Sequence, residues 1–173
     1  MSKTVINFIL KFVLLVLAQA VIFNNIVLFN LAVAFVFIYI IISMPVSWNT
    51  NVSMCLGFAA GLAVDIFADT LGYNALSCTV LAFVRKPVFH LYMQNDEDLG
   101  GQKPCIRTMG TDVYLKYLVS MVSVYCTCYF LTEAFAFFNP LMLLLRIVCS
   151  VAFTFIVIYA LDSISSRKNE KRL

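Results

Sequence analysis

The chain has 173 residues, of which 62% are hydrophobic and only 12% are charged, for a net charge of +3. Soluble domains carry about 25% charged and about 45–50% apolar residues, and a chain of this length has no core large enough to hide so much apolar surface. The composition excludes a soluble globular fold and points to the bilayer as solvent, while the small net charge gives no signature of nucleic-acid binding. A membrane span needs roughly 20 mostly apolar residues, so the length accommodates six spans with short connections and no extramembrane domain.

The first apolar run covers residues 5–23 and closes at Asn24-Asn25. Ala18-Gln19-Ala20 resembles a signal-peptidase site, but Lys11 interrupts the run and leaves only Phe12 to Leu17 ahead of the alanines, so an uncleaved first span is expected. The second run, 26–44, reads as a helix stopped by Pro45. Asn49-Thr50-Asn51 offers N-caps for a third helix, 52–68. Leu71-Gly72-Tyr73-Asn74 reads as a turn, with Asn74 capping a fourth helix, 75–92.

Arg85-Lys86-Pro87 falls only about ten residues beyond Asn74, roughly 15 Å along a helix. Either these cations snorkel to the interface or they are buried. The polar stretch from Asn95 to Thr111, with Gly100-Gly101, Pro104 and Gly110, is the one long loop, and Asp96-Glu97-Asp98 reads as a solvated part of it. Thr111 or Asp112 caps a fifth helix, 113–138. Asn139-Pro140 pairs an N-cap with proline at the first helical position and opens a sixth, 140–164, followed by a basic tail, 167–173.

With six spans, Lys3, Arg85, Lys86, Lys103, Arg107, Lys116, Arg167, Lys168, Lys171 and Arg172 fall on or near one side, and the three opposite turns contain no Lys or Arg. The positive-inside rule then places both termini in the cytoplasm. The expected fold is an all-α polytopic membrane helix bundle.

Charged residues inside spans are costly and are functional candidates by default. They are Lys11, Asp65, Asp69, Glu133 and Arg146. Glu133 and Arg146 lie at nearly equal distances from the turn at Asn139-Pro140, so in an antiparallel hairpin they reach similar depth and can pair. Gly57, Gly61 and Asp65 are spaced by four and share one helix face. Gly57 to Gly61 is also a GxxxG pattern that lets another helix approach closely, which would let protein rather than lipid surround Asp65. His90, the single histidine, is expected near the inner surface, and the six cysteines read as small apolar side chains. No Cys/His cluster has metal-ligand spacing, no Ser–His or Cys–His pair reaches membrane depth, and no phosphate-binding glycine loop is present. No catalytic set, cofactor or metal is expected.

Leu56-Gly57-Phe58-Ala59-Ala60-Gly61-Leu62-Ala63-Val64-Asp65-Ile66-Phe67, then Gly72-Tyr73-Asn74-Ala75-Leu76, with Arg85-Lys86-Pro87 at the end of the next helix, resembles the MreD family of rod shape-determining membrane proteins, and the long basic loop after the fourth helix resembles that of its Bacteroidota members. The resemblance in detail covers about thirty residues; in size, span number and charge placement it covers the whole chain. It implies a non-catalytic scaffold in the bacterial inner membrane that helps direct peptidoglycan synthesis and cell shape. The partners it implies are a bitopic MreC-like protein, the actin-like MreB, the glycosyltransferase RodA and a class-B penicillin-binding transpeptidase. It also implies likeness in fold to the substrate-binding S-components of energy-coupling-factor transporters, which makes a small-molecule transporter subunit the alternative. On this reading Gly57, Gly61, Asp65, Glu133 and Arg146 build the bundle. Asp69, Gly72, Tyr73 and Asn74 meet the MreC-like partner outside, and Arg85 and Lys86 are contact candidates inside.

Overall fold

A computed structural model describes residues 2–23, 27–28, 32–93, 104–134 and 140–170. Helix α1 (Ser2–Ala18) continues into a π-helical turn, Gln19–Phe23. A pair of two-residue antiparallel strands follows, β1 (Val27–Leu28) and β2 (Ala32–Val33), with Val27 opposite Val33. Then come the short α2 (Tyr39–Ile42), α3 (Thr50–Ala68), α4 (Tyr73–Tyr92), the short α5 (Ile106–Met109), α6 (Thr111–Ala134) and α7 (Pro140–Glu170). The architecture is an all-α bundle. Its most extensive contact is α3 against α4, followed by α4 against α6 and α6 against α7.

Among the described residues, three helical stretches are long and apolar enough to cross a membrane: Thr50–Ala68, Thr111–Ala134 and Pro140–Ser163. The outward face of α7 suits lipid and not water. Leu141, Leu144, Leu145, Val148 and Ile156 are all exposed there, a continuous apolar surface of the kind soluble monomers avoid. The expected loop at Asp96-Glu97-Asp98 and the capping residue Asn139 lie outside the described residues.

The second expected span is corrected. Residues 26–44 do not form one helix: they hold the strand pair, an extended stretch at 34–36 and only four residues of α2. The reason is burial on all sides. Ala34, Phe35, Val36, Phe37 and Ile38 are all buried, whereas a lipid-facing helix would turn one side outward. Alternating aromatic and branched residues favour the extended backbone, but its polar groups then need partners away from water. Side chains supply them. Gln19 Nε2 donates to the Ala34 carbonyl at 2.9 Å, and the Val36 amide donates to Gln19 Oε1 at 2.8 Å. The amides of Val33 and Phe35 donate to Ser150 Oγ and Thr154 Oγ1, each at 3.1 Å. Ser150 and Thr154 are one helical turn apart on α7, so the helix offers them on a single face. Gln19→Leu is expected to leave a buried carbonyl and a buried amide unpaired and to cost about 3 kcal/mol, read as a lower unfolding midpoint in detergent.

The other boundaries shift modestly. Helix α4 starts at Tyr73 with Gly72 at its N-cap and carries Pro87 within it. Helix α7 continues beyond the expected end of the sixth span, so the start of the basic tail is helical through Glu170. All six cysteines are free thiols.

Candidate functional site at the hairpin of the third and fourth helices

The hairpin rests on two glycines. A methyl group built on Gly61 would stand 2.5 Å from Ala75 Cα and from the Asn74 carbonyl oxygen, and 2.6 Å from the Ala75 nitrogen. On Gly57 it would meet the Cys78 carbonyl oxygen at 2.9 Å and Ala82 Cβ at 3.3 Å. The four-residue spacing of these glycines therefore forms the groove into which the α4 backbone is pressed.

One turn further along the same face, Asp65 is buried and its carboxylate receives four donors. Asn74 gives its amide at 3.1 Å and its side-chain Nδ2 at 2.9 Å to Oδ1, the Thr70 hydroxyl also donates to Oδ1, and the Ala75 amide donates to Oδ2 at 2.8 Å. Asp65 thus caps α4 from the neighbouring helix, placing a negative charge at the positive end of that helix. This corrects the expected role of Asn74. It sits inside the first turn of α4, not at its N-cap, and links Asp65 to α6: the Tyr125 hydroxyl donates to Asn74 Oδ1 at 2.6 Å.

The turn between the helices is short and shaped by its backbone. Asp69 closes α3 in the left-handed conformation at φ 54°, and Gly72 opens α4 at φ 85°. An aspartate tolerates such a conformation and glycine adopts it freely. Asp69 is exposed and Tyr73 half-buried, its ring meeting that of Tyr129 with centroids 6.3 Å apart. Between them Leu71 projects 88% exposed, beside the exposed Phe67 and Ile66.

The two inner contact candidates part company. Lys86 is half-buried, but Arg85 is only 1% exposed, so it is corrected from a contact residue to an internal one. Its Nη1 donates to the Met44 carbonyl at 2.5 Å, and its Nη2 donates to the Pro45 carbonyl at 3.2 Å and to Ser53 Oγ at 3.3 Å. The segment that replaces the second span brings these carbonyls to the guanidinium, which explains why sequence position alone left snorkelling and burial open.

Glu133 and Arg146 pair across α6 and α7, with Nη1 3.1 Å from Oε1 and both side chains about one-third exposed. The exchanged variant, Glu133→Arg with Arg146→Glu, is expected to restore most of the midpoint lost in Glu133→Arg alone, where two cations face each other. An exposed pair is worth about 0–1 kcal/mol, so the like-charge single variant is the more informative measurement.

Sequence reasoning missed Gln19, Ser150, Thr154 and Asp162, which join the extended stretch and α2 to the π-helical turn and α7. The Tyr39 hydroxyl donates to Asp162 Oδ1 at 2.6 Å. A signal was present: Ser150, Thr154 and Asp162 recur at multiples of four in the otherwise apolar stretch 147–162, a polar stripe that lipid would not accept. No protein-family model matches the chain, and no curated protein or solved structure matches it either.

Proposed function

We propose that this chain is a multi-pass scaffold of the bacterial inner membrane, working in the elongation machinery that directs peptidoglycan synthesis and cell shape. It acts by contact rather than by catalysis. The single observation that carries this reading is the α3–α4 hairpin. Its two helices are locked by Gly61 against the α4 backbone and by the Asp65 carboxylate on the α4 amides, and the turn so fixed presents an unpacked Leu71 beside Asp69. A rigid turn with an exposed apolar tip suits binding, because little freedom remains to be lost on association.

On this proposal the chain crosses the membrane six times with both termini in the cytoplasm, the second crossing made by the buried, mostly non-helical segment that includes 34–44 and not by a helix. Asp69, Leu71, Gly72 and Tyr73 meet an MreC-like bitopic protein on the outer side. Lys86 and the basic tail face MreB or anionic lipid on the inner side, where each basic residue contributes about 1 kcal/mol of attraction. Contacts with RodA and a class-B penicillin-binding transpeptidase follow directly or through the MreC-like protein.

The test is depletion in a rod-shaped host combined with copurification. Rounded cells and a retained MreC-like protein are expected. Leu71→Asp is expected to keep normal protein levels and midpoint while losing the partner; a variant that still retains it would remove the outer turn from the interface.

One observation favours a second reading, an S-component-like subunit of a small-molecule transporter. The non-helical backbone at 34–36 runs among the helices, and transporters build their binding sites from such interruptions. A small molecule copurifying with the protein, and lost uptake with unchanged cell shape, would favour it.

A further inference from the structure

The ion pair between α6 and α7 leaves most of its hydrogen-bonding capacity unused. A guanidinium carries five N–H groups, and arginine–carboxylate pairs are commonly joined by two parallel bonds. Here a single bond joins Arg146 Nη1 to Glu133 Oε1 at 3.1 Å. Arg146 Nε is buried without a partner. Arg146 Nη2 and Glu133 Oε2 have no hydrogen-bond partner among the described residues either, but they are not buried, and both side chains are about one-third exposed. One free donor and one free acceptor, of opposite charge, therefore stand side by side at the surface.

The surface around them is apolar. Met142, one turn before Arg146, and Leu145 beside it are about half exposed, and Cys149, three residues further along, is half-buried. Lipid suits these side chains but does not tolerate charges with free hydrogen-bonding groups. Depth resolves the conflict. The apolar stretch Pro140–Ser163 has 24 residues, roughly 36 Å of helix, against about 30 Å of hydrocarbon, so its ends enter the headgroup layers. Arg146 lies six residues from the start of α7, roughly 9 Å, and a helical side chain leans back toward that start. The guanidinium then ends near the level of the lipid headgroups. This is the same end of the bundle as the α3–α4 turn, because Tyr129, one turn before Glu133 on α6, meets the ring of Tyr73.

The charges define the headgroup. One with only a negative charge gains from Arg146 and is repelled by Glu133. One carrying both charges gains from each. Its ammonium must also donate to Glu133 Oε2, which a trimethylated nitrogen cannot do because it has no N–H. We propose that the Glu133–Arg146 pair binds the phosphoethanolamine headgroup of a membrane lipid. Arg146 Nη2 donates to the phosphate, and the lipid ammonium donates to Glu133 Oε2. The short ethylene link between phosphate and ammonium lets one headgroup reach both members of a pair in direct contact, and the acyl chains follow Met142, Leu145 and Cys149. The site requires α6 and α7 to lie in the bilayer, but neither the scaffold role nor any protein partner.

The lipid retained by the purified full chain tests it. The delipidated protein is offered equal amounts of phosphatidylethanolamine and phosphatidylcholine with identical acyl chains in mixed micelles, and bound lipid is counted by native mass spectrometry. Phosphatidylethanolamine is expected to be retained about tenfold over phosphatidylcholine, the worth of one hydrogen bond to a charged group. Glu133→Gln keeps a carbonyl oxygen for Arg146 and removes the charge. It is expected to unfold at the parent's midpoint and to retain both lipids alike. Arg146→Lys spends its one ammonium on Glu133 and is expected to lose the preference as well. Equal retention by the parent means that the pair holds only water, and overturns the site. A preference that persists in both variants belongs to another part of the surface, and also overturns it. Soluble phosphoethanolamine has the same charges without the chains and is expected not to displace the lipid; displacement would overturn the assignment to a lipid.

Discussion

Gly61→Ala is expected to lower the unfolding midpoint sharply, and Gly57→Ala to lower it less. Alanine in place of glycine would ordinarily stabilise a helix by about 1 kcal/mol, so a loss can only come from packing. At Gly61 the added carbon meets backbone atoms of α4 at 2.5–2.6 Å. Backbone in a helix cannot rotate away, so the two helices must part. Overpacking of this kind costs about 1–3 kcal/mol and sometimes more, and Gly61 belongs at the upper end. At Gly57 the nearest contact is 2.9 Å and the next 3.3 Å, which a small shift relieves. The check is thermal or denaturant unfolding of both variants in the same detergent. Equal midpoints for Gly61→Ala and the parent would show that the α3–α4 contact is looser than described. The same substitution would also disturb the turn proposed to meet a partner, so complex formation should fall with stability.

Asp65→Asn should be at least as damaging, although it preserves shape. Every group facing the carboxylate is a donor: the Thr70 hydroxyl, the Asn74 amide and side-chain nitrogen, and the Ala75 amide. An asparagine amide in either orientation turns its own NH2 toward at least one of them. A hydrogen bond to a charged group contributes about 1.5–3 kcal/mol, and leaving buried donors unpaired adds to the loss. Because the four bonds share one acceptor they do not add simply, and a total of about 3–5 kcal/mol is expected. Asn74→Ala should cost less, since it leaves the two backbone bonds to Asp65 in place. It should still free the Tyr125 hydroxyl, which now donates to Asn74. The order Asp65→Asn, then Asn74→Ala, then parent in rising midpoint is the expected result. A reversed order would move the centre of the network from the acid to the amide.

Several features of this arrangement were legible in the residues. Gly57, Gly61 and Asp65 share a face because a helix repeats near four, and the pairing of Glu133 with Arg146 followed from equal distance to one turn. Other features were not. Asn74 looked like a cap because its residue type suits one, yet the cap is a carboxylate nine residues earlier in the chain. For Arg85 the sequence left snorkelling and burial both open, and carbonyls from residues about forty positions away hold it inside. Hydropathy reads 26–44 as a span because it measures only how apolar a segment is. It carries no information on whether neighbours will surround the segment and satisfy its backbone.

The amino-acid order alone indicated helices apolar enough to cross a membrane, the helical class, the small-residue face of α3 and the pairings between residues close to a shared turn. Those properties depend on composition and on the local period of the helix. The folded arrangement decided which polar groups meet across the bundle: Gln19 and Thr154 with the extended stretch at 34–36, Asp65 with the start of α4, and Arg85 with the carbonyls of Met44 and Pro45. In an apolar interior each of these groups had to find a partner, and the choice among distant candidates was made by geometry that only packing creates.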